Sequence, residues 1–546
     1  MKIFHFIAII ISLFNCYEQN SLIVNTTSGI FKGKTMNIQN VNVREYLGIP
    51  YALPPVKELR FKNPRPAPYC CHIREAIHKP PSCLQILTDF TVKSTELLPM
   101  SEDCLYLNVW VPERERQQQP LSTMVWIYPG SFVIGSASDE LSDGEVIAAV
   151  GNVIVISIAY RLGPFGFFHF DEEEAPGNMG MMDQVLAVKW VHNNIKEFGG
   201  DPNKVILFGQ SSGGISIANH LVSPLMEGLY QRVIIQSLSK LSDNQIFTSI
   251  NISNNRDISK IIATNVGCAN DNSKEAVACM RQLESSDIVL AMEDYMNSIP
   301  IGISLLPEIN SPYLPDNIVK IHNVDIMIGN VVDEESIFLE LYHPKFLEEE
   351  NPKLNKFEAE RDIKMYFNKT DERTDFRVIF NEYLGNVSDT DYTTIVNRTY
   401  KAMGDGLRLC PSYFMAETLT KNRNLYHYMF NHKRRKCGRP KWTGVAHSEE
   451  LYFLFGMPFK NPECYTLEEQ DFSVKIIQMW TSFAKYGIPF YPGMDTPFLP
   501  FGTEKNSIEI RLEDMQTRKD PLRNICKVWR NFYRYRQFFV EGKDPH

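Results

Sequence analysis

A serine, a histidine and a cluster of acids in this chain have the residue types and settings of an acyl-transfer centre. Ser211 stands in Gly209-Gln210-Ser211-Ser212-Gly213, directly after the apolar run Val205 to Phe208 and ahead of a helical pattern. Flanking glycines let the backbone turn sharply. A serine at the tip of such a turn exposes its hydroxyl, and the helix N-terminus that follows faces developing negative charge. A serine hydroxyl needs a base to take its proton, and the base needs a carboxylate to fix its tautomer. Several histidines follow Ser211. His447 lies in Gly444-Val445-Ala446-His447, an approach of small residues that leaves an imidazole room on a loop. The acid candidates Asp333, Glu334 and Glu335 come just after Ile326-Met327-Ile328-Gly329, at the end of an apolar run where a strand would stop. The chain order is Ser, acid, His, with more than a hundred residues between successive members, so only tertiary folding can join them.

The elements needed to position these groups are visible as alternating patterns. Thr123 to Tyr128, Val153 to Ile158 and Val205 to Phe208 read as strands. Met182 to Phe198 carries Val185, Ala187, Val188, Val191 and Ile195 at helical spacing and ends at Gly199-Gly200, a helix stop. Strands joined by crossover helices predict an α/β fold with a large, mostly parallel central sheet flanked by helices. Residues 340 to 400 are charged and helix-forming, which predicts an exposed helical excursion outside the sheet. The run His432, Lys433, Arg434, Arg435 and Lys436 reads as a solvated loop. No internal repeat or low-complexity tract interrupts the chain, and residues 21 to 546 are expected to fold as a single domain.

Composition narrows the function classes. The 546 residues are 44% hydrophobic and 22% charged with a net charge of −9, which excludes disorder and coiled coil and argues against a nucleic-acid partner. Lys2 precedes a mostly apolar run from Ile3 to Phe14, too short to span a bilayer, followed by a polar stretch; residues 1 to 20 read as a secretory signal peptide. Its removal takes Cys16 with it and turns 11 cysteines into an even ten, suited to a disulfide framework. Five glycosylation sequons, at Asn25, Asn251, Asn368, Asn386 and Asn397, fit the same secreted, extracellular destination. No later stretch has the length of a membrane span or a lipid-anchor tail. The histidines lack zinc-ligand spacing, and the proposed chemistry needs no metal or cofactor.

Beyond these local signals, the chain resembles the type-B carboxylesterases and cholinesterases of the α/β-hydrolase superfamily over nearly its whole mature length. The resemblance is carried by Tyr46-Leu47-Gly48-Ile49-Pro50-Tyr51-Ala52, Arg60-Phe61, Glu102 to Trp110, Tyr160-Arg161-Leu162-Gly163, Asp183-Gln184, Phe198 to Pro202, the Ser211 turn and Gly444 to His447. It implies an α/β-hydrolase fold stapled by disulfides, with Ser211 as nucleophile, Glu334 as acid and His447 as base in the hydrolysis of small-molecule esters. It also implies the pairs Cys83 with Cys104, Cys268 with Cys279 and Cys410 with Cys526. Cys70, Cys71, Cys437 and Cys464 have no partner in that pattern; a further bridge between Cys437 and Cys464 is one option, but the vicinal Cys70 and Cys71 leave the connectivity open.

Departures from the family pattern shape the remaining expectations. The oxyanion loop reads Tyr128-Pro129-Gly130-Ser131-Phe132, with two glycines replaced; the implied donors are the amides of Gly130, Ser131 and Ser212. Pro129 would re-aim the Gly130 amide, or the Ser131 side chain would intrude. Glu335 stands where the family usually has glycine, so a second carboxylate either raises the pKa of Glu334 or faces solvent. No tryptophan lies between Cys83 and Cys104 to hold a quaternary ammonium, the residue before the serine is the neutral Gln210, and Ile337 replaces an aromatic although Phe338 remains. These losses point to neutral, apolar esters, and a glutamine before the serine also resembles insect juvenile-hormone esterases. The alternatives are a cholinesterase with an altered cation site and a non-catalytic adhesion or ligand-binding member of the family.

Overall fold

The computed structural model describes residues 22–86, 99–114, 119–171, 173–238, 252–298, 305–308, 313–314, 320–367, 376–420, 423–494 and 496–537. The expected signal peptide and the sequons at Asn251 and Asn368 lie outside them. Asn25, Asn386 and Asn397 are exposed.

An 11-stranded sheet forms the centre. Its strands in chain order are β1 (Lys34–Ile38), β2 (Val41–Pro50), β3 (Tyr106–Pro112), β4 (Leu121–Ile127), β5 (Ile154–Ile158), β6 (Gly200–Gln210), β7 (Arg232–Gln236), β8 (Asp325–Val331), β9 (Leu425–Phe430), β10 (Asn506–Ile510) and β11 (Met515–Lys519). They lie side by side in the order β11-β10-β9-β8-β7-β6-β4-β5-β3-β2-β1. Every pairing from β5 through β4, β6, β7, β8 and β9 to β10 is parallel, and the pairings toward both edges are antiparallel. Parallel strands need crossover connections and are covered on both faces, which is why β4 to β8 read as almost unbroken apolar runs. All seven residues of β4 and all five of β5 are buried. Trp126 on β4 packs against Phe208 of β6 and Phe455 from the covering layer.

The strand before Ser211 is longer than the apolar run suggests. It starts at Gly200, which pairs with Leu121 of β4, and the polar residues 201 to 204 form a register irregularity before Val205 pairs with Thr123. The helix before it, α1 (Met179–Asn194), begins three residues earlier than its periodicity indicates, since Met179 and Met181 are buried. It closes through a 3₁₀ turn onto Gly199, whose φ of 87° is a conformation glycine adopts freely.

Helices α3 (Lys356–Phe367), α4 (Arg377–Leu384) and α5 (Tyr392–Gly404) occupy the 340 to 400 region; α2 (Ser212–His220) follows the serine. The excursion is only partly exposed. Ile363, Ile379, Leu384, Ile395 and Val396 are buried, where these helices pack against one another and against the turn that follows α5. The run from His432 to Lys436 is likewise not a solvated loop throughout. His432 is buried against Glu469 at 3.0 Å, Arg434 pairs with Glu449 and stacks 3.6 Å over the Tyr452 ring, and only Arg435 and Lys436 of the run are exposed.

Disulfides join Cys83 to Cys104, Cys268 to Cys279, Cys410 to Cys526 and Cys437 to Cys464, whereas Cys70 and Cys71 remain thiols. Among the described residues, no helix is long and apolar enough to cross a membrane.

Candidate active site

Ser211 sits between the end of β6 and α2 with φ 54° and ψ −120°, a conformation that costs on the order of 1 to 3 kcal/mol for a non-glycine residue. The turn is held by Ser211 N–H donating to Gln236 O at 2.9 Å and by Ile215 N–H donating back to Ser211 O. Its glycines serve close approach. A Cβ on Gly213 would lie 2.0 Å from Ile127 O, and one on Gly209 would lie 2.8 Å from the Gly213 backbone, so α2 can seat against the end of β4 only without side chains there. The serine is 7% exposed.

The three consecutive acids after β8 diverge into three jobs. Asp333 is a staple: its N–H donates to Val445 O at 3.1 Å and its Oδ2 accepts from Val445 N–H at 2.8 Å, tying the end of β8 to the loop that carries His447. Lys401 of α5 neutralises it at 2.7 Å. Gly444 is small for this reason and not to make room for the imidazole. Its φ is 56°, and a Cβ there would collide with the Asp333 carboxylate at 2.2 Å.

Glu334, 2% exposed, faces His447: Nδ1 lies 2.5 Å from Glu334 Oε2. The other carboxylate oxygen accepts from Asn330 Nδ2 at 2.9 Å and Val331 N–H at 3.1 Å. Burial works to raise the Glu334 pKa, but the neighbouring His447 and the Arg408 charge win, and it is held below the usual carboxylate range. Burial pushes His447 in the neutral direction, helped by the Arg408 charge and opposed by Glu334.

Glu335 fulfils neither expectation made for it. It is fully buried, so it does not face solvent, and Glu334 is shifted down and not up. The reason is a partner invisible in the local sequence: Arg408 Nε bonds Glu335 Oε1, and Tyr366 of α3 donates to Glu335 Oε2 at 2.6 Å.

On its second nitrogen His447 meets the residue preceding the serine. Gln210 Nε2 lies 3.1 Å from His447 Nε2, and no hydrogen bond joins Ser211 Oγ to the imidazole. An amide donor on Nε2 requires a lone pair there, so the proton sits on Nδ1 against Glu334. This is the tautomer a general base needs. Phe338 packs its ring 5.5 Å from the imidazole. Beneath the pair, Glu450 accepts from Gln236 Nε2 at 3.1 Å, and burial followed by the Glu334 charge pushes it up to about 8. Nothing in the sequence pattern marked Glu450, Arg408 or Gln236.

The oxyanion loop is pinned on both sides. Tyr128 and Tyr160 stack at 4.4 Å and exchange hydroxyl-to-carbonyl hydrogen bonds, Gly130 O accepts from Val133 and Ile134 N–H, and Phe132 O accepts from Gly163 N–H at 2.7 Å. Gly130 has φ 125°, and a Cβ there would lie 2.0 Å from Ile134 O. Ser131 and Phe132 follow with φ 56° and 63°. Ser131 is exposed. The Gly130 and Ser212 N–H groups have no acceptor among the described residues.

The carboxylesterase family model matches residues 20–529 of the chain. Among curated proteins, the chain is 36% identical to acetylcholinesterase-1 of Trittame loki over 488 residues, covering 85% of this chain and 86% of that protein. It is 31% identical to the cholinesterase of Mus musculus over 545 residues, covering 95% and 88%. Identity to the acetylcholinesterase of Bungarus fasciatus is 30% over 536 residues, covering 93% and 86%. With an α/β sheet of this topology and a family match over most of its length, the chain belongs to the carboxylesterase family, the carboxylic ester hydrolases of the α/β-hydrolase fold.

Proposed function

We propose that the protein is a secreted serine esterase that hydrolyses neutral carboxylic esters in two acyl-transfer steps. The observation that carries the reading is the imidazole held with Nδ1 on Glu334 at 2.5 Å and with its basic Nε2 turned to the serine turn. As an ester enters, Nε2 exchanges the Gln210 amide for the Ser211 hydroxyl and takes its proton while Oγ attacks the carbonyl carbon. The tetrahedral oxyanion is received by the amides of Gly130, Ser131 and Ser212. Glu334, held ionised, stabilises the imidazolium, which protonates the departing alcohol. Water then enters, His447 removes its proton, and the acid product and free Ser211 are released. Apo contacts that are long or exchanged in this way are common and tighten in the substrate complex.

The neutral-ester preference rests on charges beside the imidazole. Gln210 supplies a donor amide and no negative charge, burial and the Glu334 charge push Glu450 up to about 8, and the guanidinium of Arg408 lies over Phe338 at 5.4 Å. The carboxylates beside the imidazole, Glu334 and Glu335, are engaged by His447 and Arg408, and the chain between Cys83 and Cys104 contains no tryptophan to hold a quaternary ammonium by a cation–π contact. The competing reading, hydrolysis of choline esters, is favoured by the names of the relatives. Turnover of butyrylcholine against its uncharged 3,3-dimethylbutyl isostere separates the two: equal or faster hydrolysis of the isostere is expected, and a large preference for choline overturns the neutral-ester reading. A folded wild-type protein that an organophosphonate fails to label, with Ser211→Ala as the blank, overturns the enzymatic reading in favour of a non-catalytic binding role. The apolar N-terminal run, the exposed sequons and the four disulfides support export.

A further inference from the structure

A buried ion pair stands against the catalytic dyad without belonging to it. Between α5 and α6 (Cys410–Leu419) the chain makes one π-helical turn, Asp405–Leu409, a wider turn often found at functional sites. That turn carries Arg408 into the interior, 6% exposed, where its guanidinium meets three partners. Nε bonds Glu335, Nη1 donates to Ser237 O at 3.0 Å, and the flat face lies over Phe338, whose ring contacts His447. Glu335 is fixed in turn by the Tyr366 hydroxyl. Burying an arginine and a glutamate is expensive even when they are paired, and a well-packed apolar pair at the same place is often as stable. Stability alone therefore gives no reason for charges here.

We propose that Arg408, anchored by Glu335, Tyr366 and Ser237 O, is a positioning residue for the catalytic base: it clamps Phe338 against the His447 ring and holds a fixed positive charge behind the Glu334–His447 pair. Two consequences follow. The clamp limits rotation of an imidazole that must exchange Gln210 for Ser211 and return. The charge favours ionised Glu334 and disfavours an imidazolium in the resting enzyme, so the base stays available at lower pH. The charged and titratable groups facing His447 are Glu334 and Glu335 from the end of β8, Arg408 from the π turn, and Glu450 beneath Glu334 on the helix after the histidine. Arg408 acts on His447 more strongly than Glu335 opposes it, so the pair as a whole pushes toward the neutral base.

The inference rests on the triad reading, and the experiment separates the two. Wild-type protein, the double variant Glu335→Gln/Arg408→Met, which removes both charges without stranding either, and Arg408→Lys are titrated with an organophosphonate. Their kcat and KM for p-nitrophenyl acetate are then measured from pH 5 to 9. An unlabelled wild type overturns the triad itself. With labelling intact, the double variant is expected to move the acid limb of kcat/KM up by roughly one pH unit; an unmoved limb overturns the role of the charge. Arg408→Lys keeps the charge and loses the fork and the flat face. It is expected to keep the wild-type limb and to lose roughly tenfold in kcat, with KM within about twofold, the split anticipated when an interaction acts on the chemical step. Wild-type kcat in Arg408→Lys overturns the clamp. Where the double variant fails to fold, Glu335→Gln, which leaves the Arg408 charge unopposed, decides the role of the charge: its acid limb is expected to move down, and an unmoved limb overturns that role.

Discussion

Replacing Glu334 by glutamine tests the proposed division of labour most sharply, because the surroundings dictate which way the new amide turns. Glu334 Oε1 receives two donors, Asn330 Nδ2 and Val331 N–H, while Oε2 receives one, from His447 Nδ1. Turning the NH₂ of glutamine toward the two donors would strand both in a buried site, at about 1 to 3 kcal/mol each. Turned toward His447, it strands nothing once the ring proton moves from Nδ1 to Nε2. Gln210 reinforces that shift: its Oε1 is buried without a partner and can rotate to accept from an Nε2–H. The variant should therefore hold its imidazole in the tautomer that cannot take the Ser211 proton, and it also lacks the carboxylate that stabilises the imidazolium. A carboxylate-to-amide change of this kind costs about ten-thousandfold in kcat, equivalent to about 5 kcal/mol of barrier. The assay is kcat on p-nitrophenyl butyrate with the rate of organophosphonate labelling, alongside ¹⁵N NMR of the imidazole to read the tautomer. A folded variant within about tenfold of wild-type kcat, or one that keeps its proton on Nδ1, refutes the reasoning.

Other consequences follow from packing, titration and cross-linking. Gly213→Ala, with its Cβ 2.0 Å from Ile127 O, should abolish phosphonate labelling and lower the melting temperature, whereas Gly228→Ala, with nothing within 4 Å but a φ of 79°, should leave labelling intact. Burial lowers His220 and His427 to about 3. The unfolded chain takes up protons below its ordinary value of about 6.5 that the folded chain refuses, so stability present above that pH is lost as pH falls toward 3. The melting temperature should thus drop between pH 7 and pH 4.5, and more shallowly in His427→Gln. Removing the Cys410–Cys526 bridge, which spans 116 residues, should cost about 5 kcal/mol against about 3 for Cys268–Cys279, which spans 11, as read from denaturant unfolding of the double alanine variants.

The parts of the site that depend on local backbone were legible from the chain. Ser211 needs a strand, flanking glycines and a helix in immediate succession, and these are neighbours in sequence, so the turn could be recognised before any tertiary contact was known. The strand and helix bounds shifted by a few residues because Gly200, beyond the polar stretch, still finds a ladder partner and the apolar start of α1 still finds a core. Residues 340 to 400 misled for a related reason. Their charges mark the outer faces of α3 to α5, while the inner faces are buried by contacts that charge content does not reveal.

Sequence alone thus fixed the chemical types and the chain order of serine, acid and histidine, since a nucleophilic turn and the ends of apolar strands are encoded over a few adjacent residues. Tertiary structure decided what each group does. Asp333, Glu334 and Glu335 are chemically near-equivalent in the sequence, yet one staples two loops, one meets the imidazole and one neutralises an arginine 73 residues away. Their roles differ because successive side chains leaving a strand point in different directions, and what waits in each direction is brought there by β9, by the His447 loop and by the π turn after α5. Electrostatics in a buried site depends on those distances and not on sequence separation. The state of the base, the ionisation of the acid and the meaning of Gln210 became readable only once the chain had closed around them.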